Sequence, residues 1–334
     1  MIITRTPFRL QLGGGSTDLP AYYEKYGGFI FAAAINLYMY IAVNRGPIDD
    51  LIRLKYSESE EVSNLADIKN GFIRLALQYT GIGKGVEITS TADIPGGTGL
   101  GSSGSFLVGL LNALHSAKGE NVSYEQLAEE GFEIAARHLN LPDGKQDFYA
   151  AALGDFSVLE ISPNGKVDFR KANITQHTRE EFEKRLLLFY SGIKRSSVNI
   201  LEEQQYRVRE ENIDAIQLKH QTKAIGRQIL SAFESGDLDK YGQLLHEHWE
   251  LKKKMSTNMS SLLFNNLYNR ARNRGALGGK IVGAGGGGFF MVFCHDGAQD
   301  EVRKIYDEAN FKEISFKIEP SGTQVILNHS PRHP

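Results

Sequence analysis

Cys294 is the only cysteine in the 334 residues, so no intrachain disulfide can form and a reducing compartment is expected. It ends the apolar run Phe289 to Cys294, where a thiol reads as a buried structural group rather than a nucleophile. Excess charge of either sign is missing too. A formal net charge of −2 excludes a nucleic-acid binder held by bulk electrostatics. No apolar stretch approaches the length of a membrane span. The first segment, Met1 to Leu12, is short and interrupted by Arg5 and Arg9, unlike a secretory signal. These absences predict a cytoplasmic protein with neither membrane nor nucleic acid as partner. A Walker A loop is lacking as well. The pairs Gly83-Lys84, Gly144-Lys145, Gly165-Lys166 and Gly279-Lys280 are all followed by a residue without a hydroxyl.

Glycine, by contrast, is abundant, with 35 residues concentrated in clusters at 13–15, 96–104 and 275–288. The middle cluster, Ile94-Pro-Gly-Gly-Thr-Gly-Leu-Gly-Ser-Ser-Gly104, runs directly into the apolar helical pattern Ser105 to Leu114. Glycine lets the backbone turn its N–H groups inward, and a helix start adds unpaired N–H groups and the positive end of the macrodipole. Such a loop is suited to a phosphate chain. The spacing Gly99-x-Gly101-x-x-Gly104 also fits a dinucleotide fingerprint. That fold, however, needs a strand ending in an acidic residue about 20 positions on, and here a second helix begins instead. Gly283-x-Gly285-x-x-Gly288 leads into a strand rather than a helix. Both observations count against nicotinamide binding.

Periodicity predicts strands at 5–12, 29–44, 51–57 and 86–91, helices at 64–79, 102–118 and 123–139, and a hairpin around Pro163-Asn164-Gly165. After the polar stretch 173–183 come a buried strand at 186–190 and four long helical patterns between 197 and 274. Strands at 280–282, 289–294, 312–318 and 324–327 complete the chain. The class is α+β, with a domain boundary near residue 175 that gives units of 1–175 and 176–334.

Three stretches resemble the signatures of the GHMP small-molecule kinases. Pro95-Gly96-Gly97-Thr98-Gly99-Leu100-Gly101-Ser102-Ser103 is similar to the second signature. Pro7-Phe8-Arg9-Leu10 followed by Gly13-Gly14-Gly15-Ser16-Thr17-Asp18 resembles the first, in its sugar-kinase form. Lys280 to Gly288 resembles the third. The resemblance implies an N-terminal domain like the second domain of ribosomal protein S5 and a ferredoxin-like C-terminal domain, with ATP and Mg²⁺ meeting a small-molecule sugar or sugar phosphate between them. The stretches Gln146 to Ala151, Tyr190 to Ser197 and His246 to Lys253 resemble the branch that phosphorylates D-glycero-D-manno-heptose 7-phosphate on its anomeric hydroxyl. Fucose and uronic-acid kinases are alternatives, as is a non-catalytic sugar or ATP sensor on the same scaffold.

The resemblance also assigns roles. Asp147 becomes the catalytic carboxylate and Arg9 its cationic partner, although by residue type alone Asp147 reads as a helix N-terminal aspartate and Arg9 as half of an ordinary ion pair. Pro95 to Gly104 would bind ATP, and Ser103 would offer a hydroxyl to Mg²⁺. Gly14, Gly15, Ser16, Thr17 and Asp18 would contact the sugar, or Ser16 or Asp18 would cap a helix starting near Leu19-Pro20. Lys194 and Arg195 are candidates for a distal phosphate, with Lys252 to Lys254 a second set that also reads as a solvated helix face. Relatives carry an acidic metal ligand where Ala135 stands. Glu133, two residues earlier and about 200° around a helix, replaces it only if the helix is shifted, and Asp18 is the other candidate, each directly or through water. His246 and His248, two apart on a helix, point in different directions and do not make a zinc site.

Overall fold

The computed structural model describes residues 1–46, 48–193, 197–256 and 259–329. The first half begins with β1 (Ile2–Gly13), α1 (Pro20–Tyr26), β2 (Gly28–Arg45), β3 (Ile52–Lys55), β4 (Ser59–Val62), α2 (Gly71–Thr80) and β5 (Val86–Ala92). It continues through α3 (Ser102–Ala117), α4 (Tyr124–Phe132), α5 (Gln146–Leu153), β6 (Phe156–Ile161) and β7 (Val167–Lys171). The second half holds α6 (Gln176–Arg185), β8 (Leu186–Tyr190), α7 (Ser197–Arg209), α8 (Ile213–Ser235), α9 (Leu238–Lys253) and α10 (Leu262–Arg272). It closes with β9 (Ala276–Ile281), β10 (Phe289–Cys294), α11 (Gln299–Glu308), β11 (Lys312–Glu313) and β12 (Gln324–Asn328).

The long strand β2 organises the first sheet. Its residues 28–33 pair with β6 and residues 39–45 with β5, while β1 runs antiparallel along its other edge. Such a strand is expected of Phe29-Ile30-Phe31-Ala32-Ala33-Ala34-Ile35, which is buried throughout and too rich in bulky groups for a surface turn. The second sheet, ordered β11-β8-β10-β9, is antiparallel at every pairing. The expected boundary near residue 175 separates the strands up to β7 from β8, but β12 crosses back and pairs with β1 in the first sheet. The halves share one apolar core. Phe233 of α8 is fully buried and meets the rings of Phe31, Phe156, Phe182 and Tyr241. Burial of aromatic rings is the largest per-residue apolar contribution available to such a joint.

Three elements place the functional groups. Helix α3 lies on β1 and β2, docked by Ser105 Oγ donating to the Pro7 carbonyl (2.7 Å) and Thr4 Oγ1 to that of Gly109 (2.8 Å). Helix α5 is held at its first turn by the Asp18 carboxylate, which accepts from the Gln146 N–H at 2.9 Å. Helix α9 packs so closely on β9 that Gly242 and Gly278 face each other with no room for a side chain. No helix among the described residues is long and apolar enough to cross a membrane.

Candidate active site

A cleft of about 1130 Å³, open on one side, lies between the two halves. Its walls are β1, the turn after β1, the 97–103 loop, the start of α5, α7, α9 and the 282–287 glycine loop.

The 95–101 loop sorts its residues by alternation. Gly97, Gly99 and Gly101 line the cleft with φ of 77°, 92° and 82°. Between them Thr98 and Leu100 are buried in the body of the protein. The Thr98 carbonyl accepts from Phe289 N, and that of Leu100 from Arg9 N. Alternating left- and right-handed residues make the concave backbone that binds anions. The loop delivers the N-terminus of α3, with Ser102 and Ser103, into the same space. Pro95 and Gly96 are exposed and lie outside the cleft lining, and Gly104 is pressed against the backbone of Asp147.

Arg9 and Asp147 meet at the cleft floor. Arg9 Nε donates to Asp147 Oδ1 at 2.9 Å, Nη2 lies 2.7 Å from the same oxygen, and Nη1 donates to the Gly99 carbonyl at 2.7 Å. Arg9 is 4% exposed, whereas Asp147 keeps 28% of its side chain open to the cleft. The guanidinium thus ties the carboxylate to the glycine loop.

The first-signature residues divide. Gly15 and Ser16 line the cleft, and Lys219 Nζ donates to the Ser16 carbonyl and hydroxyl, each at 3.0 Å. Gly14, Thr17 and Asp18 do not reach it. Gly14 sits against the Phe29 carbonyl. Thr17 is fully buried, its hydroxyl donating to the carbonyls of Gly14 and Phe29. Asp18 is also fully buried and caps α5, not α1, whose N-cap Leu19 has no side-chain bond. The expectation that Thr17 and Asp18 touch sugar hydroxyls is therefore replaced by a supporting role. Burial, with repulsion from Asp147, pushes the Asp18 carboxyl up to about 6 although the Gln146 N–H opposes this.

Glu133 does not join the site. A π-helical turn over Glu133–His138 follows α4, yet Glu133 is exposed in a separate surface hollow with Glu129 and Lys145. Ala135 is fully buried in the core. Lys194 and Arg195 lie outside the described residues. Cys294 is buried as expected, and burial pushes its thiol up to about 12. His246 bonds Tyr268 while His248 faces Lys280, so the two histidines point apart.

Two groups of cleft residues escaped the sequence reading. One is Asp143, four residues before Asp147. Burial, then repulsion from Asp147 and Asp18, pushes its carboxyl up to about 7. The signal was an acid at i−4 in a Gly-containing turn. The other is Gln11, Gln146 and His248, joined in the cleft by Lys252, one of the second set of phosphate candidates. Gln11 Nε2 and Gln146 Oε1 are buried with no hydrogen-bond partner, and both residues line the cleft, as polar groups awaiting a ligand do. Lys252 was legible in principle: it follows Trp249 by three and Leu245 by seven on the buried stripe of α9.

Asp143 supplies a pH test. Its folded pKa lies above the unfolded value, so the folded state holds the extra proton and stability falls as pH rises from about 4 through about 7. Asp143→Asn removes that penalty. The nucleotide-free variant should gain roughly 2–4 kcal/mol on the parent between pH 4 and 8, read from denaturation midpoints. A constant difference across that range would contradict the assignment.

Among the described residues no cluster of three or more His, Cys, Asp or Glu could hold a metal unaided. Among the oxygen donors that line the cleft, Ser103 and Asp143 suit Mg²⁺, which takes few protein ligands when it rides on phosphates.

Two family models match the chain: GHMP kinases N terminal domain at residues 68–155, and GHMP kinases C terminal at 229–312. Together they take in just over half of it. The D-glycero-alpha-D-manno-heptose 7-phosphate kinase of Campylobacter jejuni is 28% identical over 303 residues, 87% of this chain and 89% of that one. The galactokinase of Pyrococcus furiosus is 25% identical across 96% of this chain and 98% of its own. Among solved structures, a D-glycero-D-manno-heptose 1-phosphate kinase from Bacteriodes thetaiotaomicron superposes with a TM-score of 0.81 at 24% identity, covering 99% of this chain and 100% of that one. Matches to both halves, full-length likeness in fold, and an Arg–Asp pair beside a glycine loop and helix N-terminus agree: the chain belongs to the GHMP kinase family.

Proposed function

We propose that this kinase transfers the terminal phosphoryl of ATP to the anomeric hydroxyl of D-glycero-D-manno-heptose 7-phosphate, giving the 1,7-bisphosphate. The observation that carries the reading is the Arg9–Asp147 pair fixed to the Gly99 carbonyl at the cleft floor. The choice of acceptor is supported by the 28% identical Campylobacter jejuni enzyme, which matches over most of both chains.

In this reading the 97–101 backbone and the N-terminus of α3 bind the triphosphate. Ser103 and Asp143, both lining the cleft, would hold Mg²⁺. Bound there, the ion would neutralise phosphate charge. Asp147 accepts the proton of the acceptor hydroxyl as its oxygen bonds to phosphorus and the bond to the ADP oxygen breaks. Arg9 orients Asp147 and shares the negative charge of the transferring group. Gly15 and Ser16 line the acceptor side, and Asp18 keeps the start of α5 in place.

An ADP-release assay with a panel of acceptors tests this. The heptose 7-phosphate is expected to turn over with the highest kcat/KM, and ³¹P NMR should show a new anomeric phosphate. Turnover of L-fucose, galactose or a uronic acid with an inert heptose phosphate would move the enzyme to another branch. No turnover with any of them, despite ATP binding, would favour a sensor.

A further inference from the structure

The C-terminal wall of the cleft carries positive charge with no protein anion to match. Lys252, at the end of α9, is 7% exposed and lines the cleft. Its Nζ donates to the carbonyls of Ile281 (2.8 Å) and Gly283 (2.6 Å). Behind it Lys280 is fully buried, with Nζ donating to Gln11 Oε1 (2.8 Å) and 3.2 Å from His248 Nδ1. Among the described residues neither lysine has a carboxylate within ion-pair distance, and the Arg9 guanidinium, which repels both, already has Asp147. Burying an ammonium is costly unless something pairs with it. Two carbonyls satisfy hydrogen bonds but leave the charge uncompensated.

The position of Lys252 says which anion would complete it. Gly283, whose carbonyl it holds, abuts Gly99 so closely that a Cβ on Gly283 would lie 2.7 Å from the Gly99 Cα. Gly99 in turn accepts from Arg9, which holds Asp147. Lys252 is thus linked through two backbone contacts to the place where the phosphoryl group changes hands.

We propose that Lys252 is a second cation of the transfer site, contacting the terminal phosphoryl group of the nucleotide opposite Arg9. A phosphoryl oxygen supplies the missing negative charge. Lys280 and His248 set the lysine's position from behind. Burial and the nearby Arg9 guanidinium lower the Lys252 ammonium to about 7, so in the free enzyme it titrates in the working range, and the incoming phosphate favours its charged form. This rests on the kinase reading but not on the identity of the acceptor.

The test compares nucleotides with and without the terminal group. Lys252→Met keeps the length and apolar stem while removing the charge. It should weaken binding of the non-hydrolysable triphosphate AMP-PNP by about 10-fold or more, leave ADP binding within about 3-fold, and lower kcat about 100-fold. Equal losses for AMP-PNP and ADP would make Lys252 a structural tether. Unchanged nucleotide binding with a raised acceptor KM would assign it to a phosphate on the acceptor. Either result overturns the proposal. Should Lys252→Met fail to fold, Lys252→Arg decides. In the parent, kcat/KM for ATP should fall above about pH 7, while Lys252→Arg, always charged, should lose that limb. Arg9, His248 and Lys280, which surround residue 252, and Asp143 and Asp147 across the cleft are common to both proteins. Superimposable profiles would therefore refute it. The nucleotide comparison needs no acceptor, so an inert heptose phosphate would count against the proposed substrate and leave this result standing.

Discussion

Asp147→Asn should lower kcat by a factor of about 10²–10⁴ with little change in ATP affinity. The amide is nearly isosteric, and its oxygen can still accept from Arg9 Nε, which now lies 2.9 Å from Oδ1. Helix α5 keeps its anchor, because Asp18 rather than Asp147 bonds the Gln146 N–H. What disappears is the negative charge and the capacity to take a proton from the acceptor. The variant isolates chemistry from binding, so initial rates of ADP release and the ATP KM are the measurements. A turnover equal to the parent's would remove Asp147 from the reaction. The same substitution has a second signature. The Asp147 charge helps push up the carboxyls of both Asp18 and Asp143, so its removal should lower both. The stability lost between about pH 4 and pH 8 should then be smaller in the variant than in the parent, set against a pH-independent cost for leaving the buried Arg9 guanidinium without its partner.

The sequence disclosed elements wherever one local pattern dominated. The long strand β2, the helix after the glycine loop and the four helices between residues 197 and 274 follow from uninterrupted apolar periods. It was silent where pattern and environment diverge. Helix α6, with Arg179, Glu180, Glu181, Glu183 and Lys184, reads as polar linker, yet Phe182 on its inner face is fully buried among five aromatic rings. Strand β9 looked half its length because Gly278 and Gly279 weaken any strand signal. They are there because α9 and Met291 come too close for side chains. In the site, residue pattern alone points to the glycine loop, whereas Arg9 and Asp147 are singled out only by the family resemblance, since by type they read as half of an ion pair and a helix N-terminal aspartate. Whether Asp18 faces a sugar or a helix end is a question of tertiary direction, and a motif match cannot answer it. The same holds for Lys252: a run of three lysines reads as solvated face, but only Lys254 is exposed, Lys253 is partly covered beside Glu250, and Lys252 is turned inward.

Gly99→Ala should be far more damaging than Gly97→Ala, although both glycines have positive φ and lie in one loop. For Gly97, at φ 77°, an added Cβ meets nothing within 4 Å, so the cost is the left-handed backbone alone, about 1–2 kcal/mol. Nucleotide affinity should fall less than about 10-fold. For Gly99, at φ 92°, the Cβ would lie 2.6 Å from the Val282 carbonyl oxygen. That neighbour is backbone and belongs to the third glycine-rich stretch, so neither loop yields without the other moving. The Gly99 carbonyl also accepts from Arg9 at 2.7 Å. Displacing it shifts the guanidinium and, through it, Asp147. The substitution therefore strikes phosphate binding and proton transfer together. ATP affinity should drop by about 100-fold, and kcat should fall with it, since misplacement by about 1 Å costs that much on its own. Titration with a fluorescent nucleotide, on variants whose far-UV circular dichroism matches the parent, measures the first effect, and ADP release the second. If the two alanine variants behaved alike, the contact between the two glycine loops would not be what shapes the phosphate site, and the link from Gly99 through Arg9 to Asp147 would lose its support.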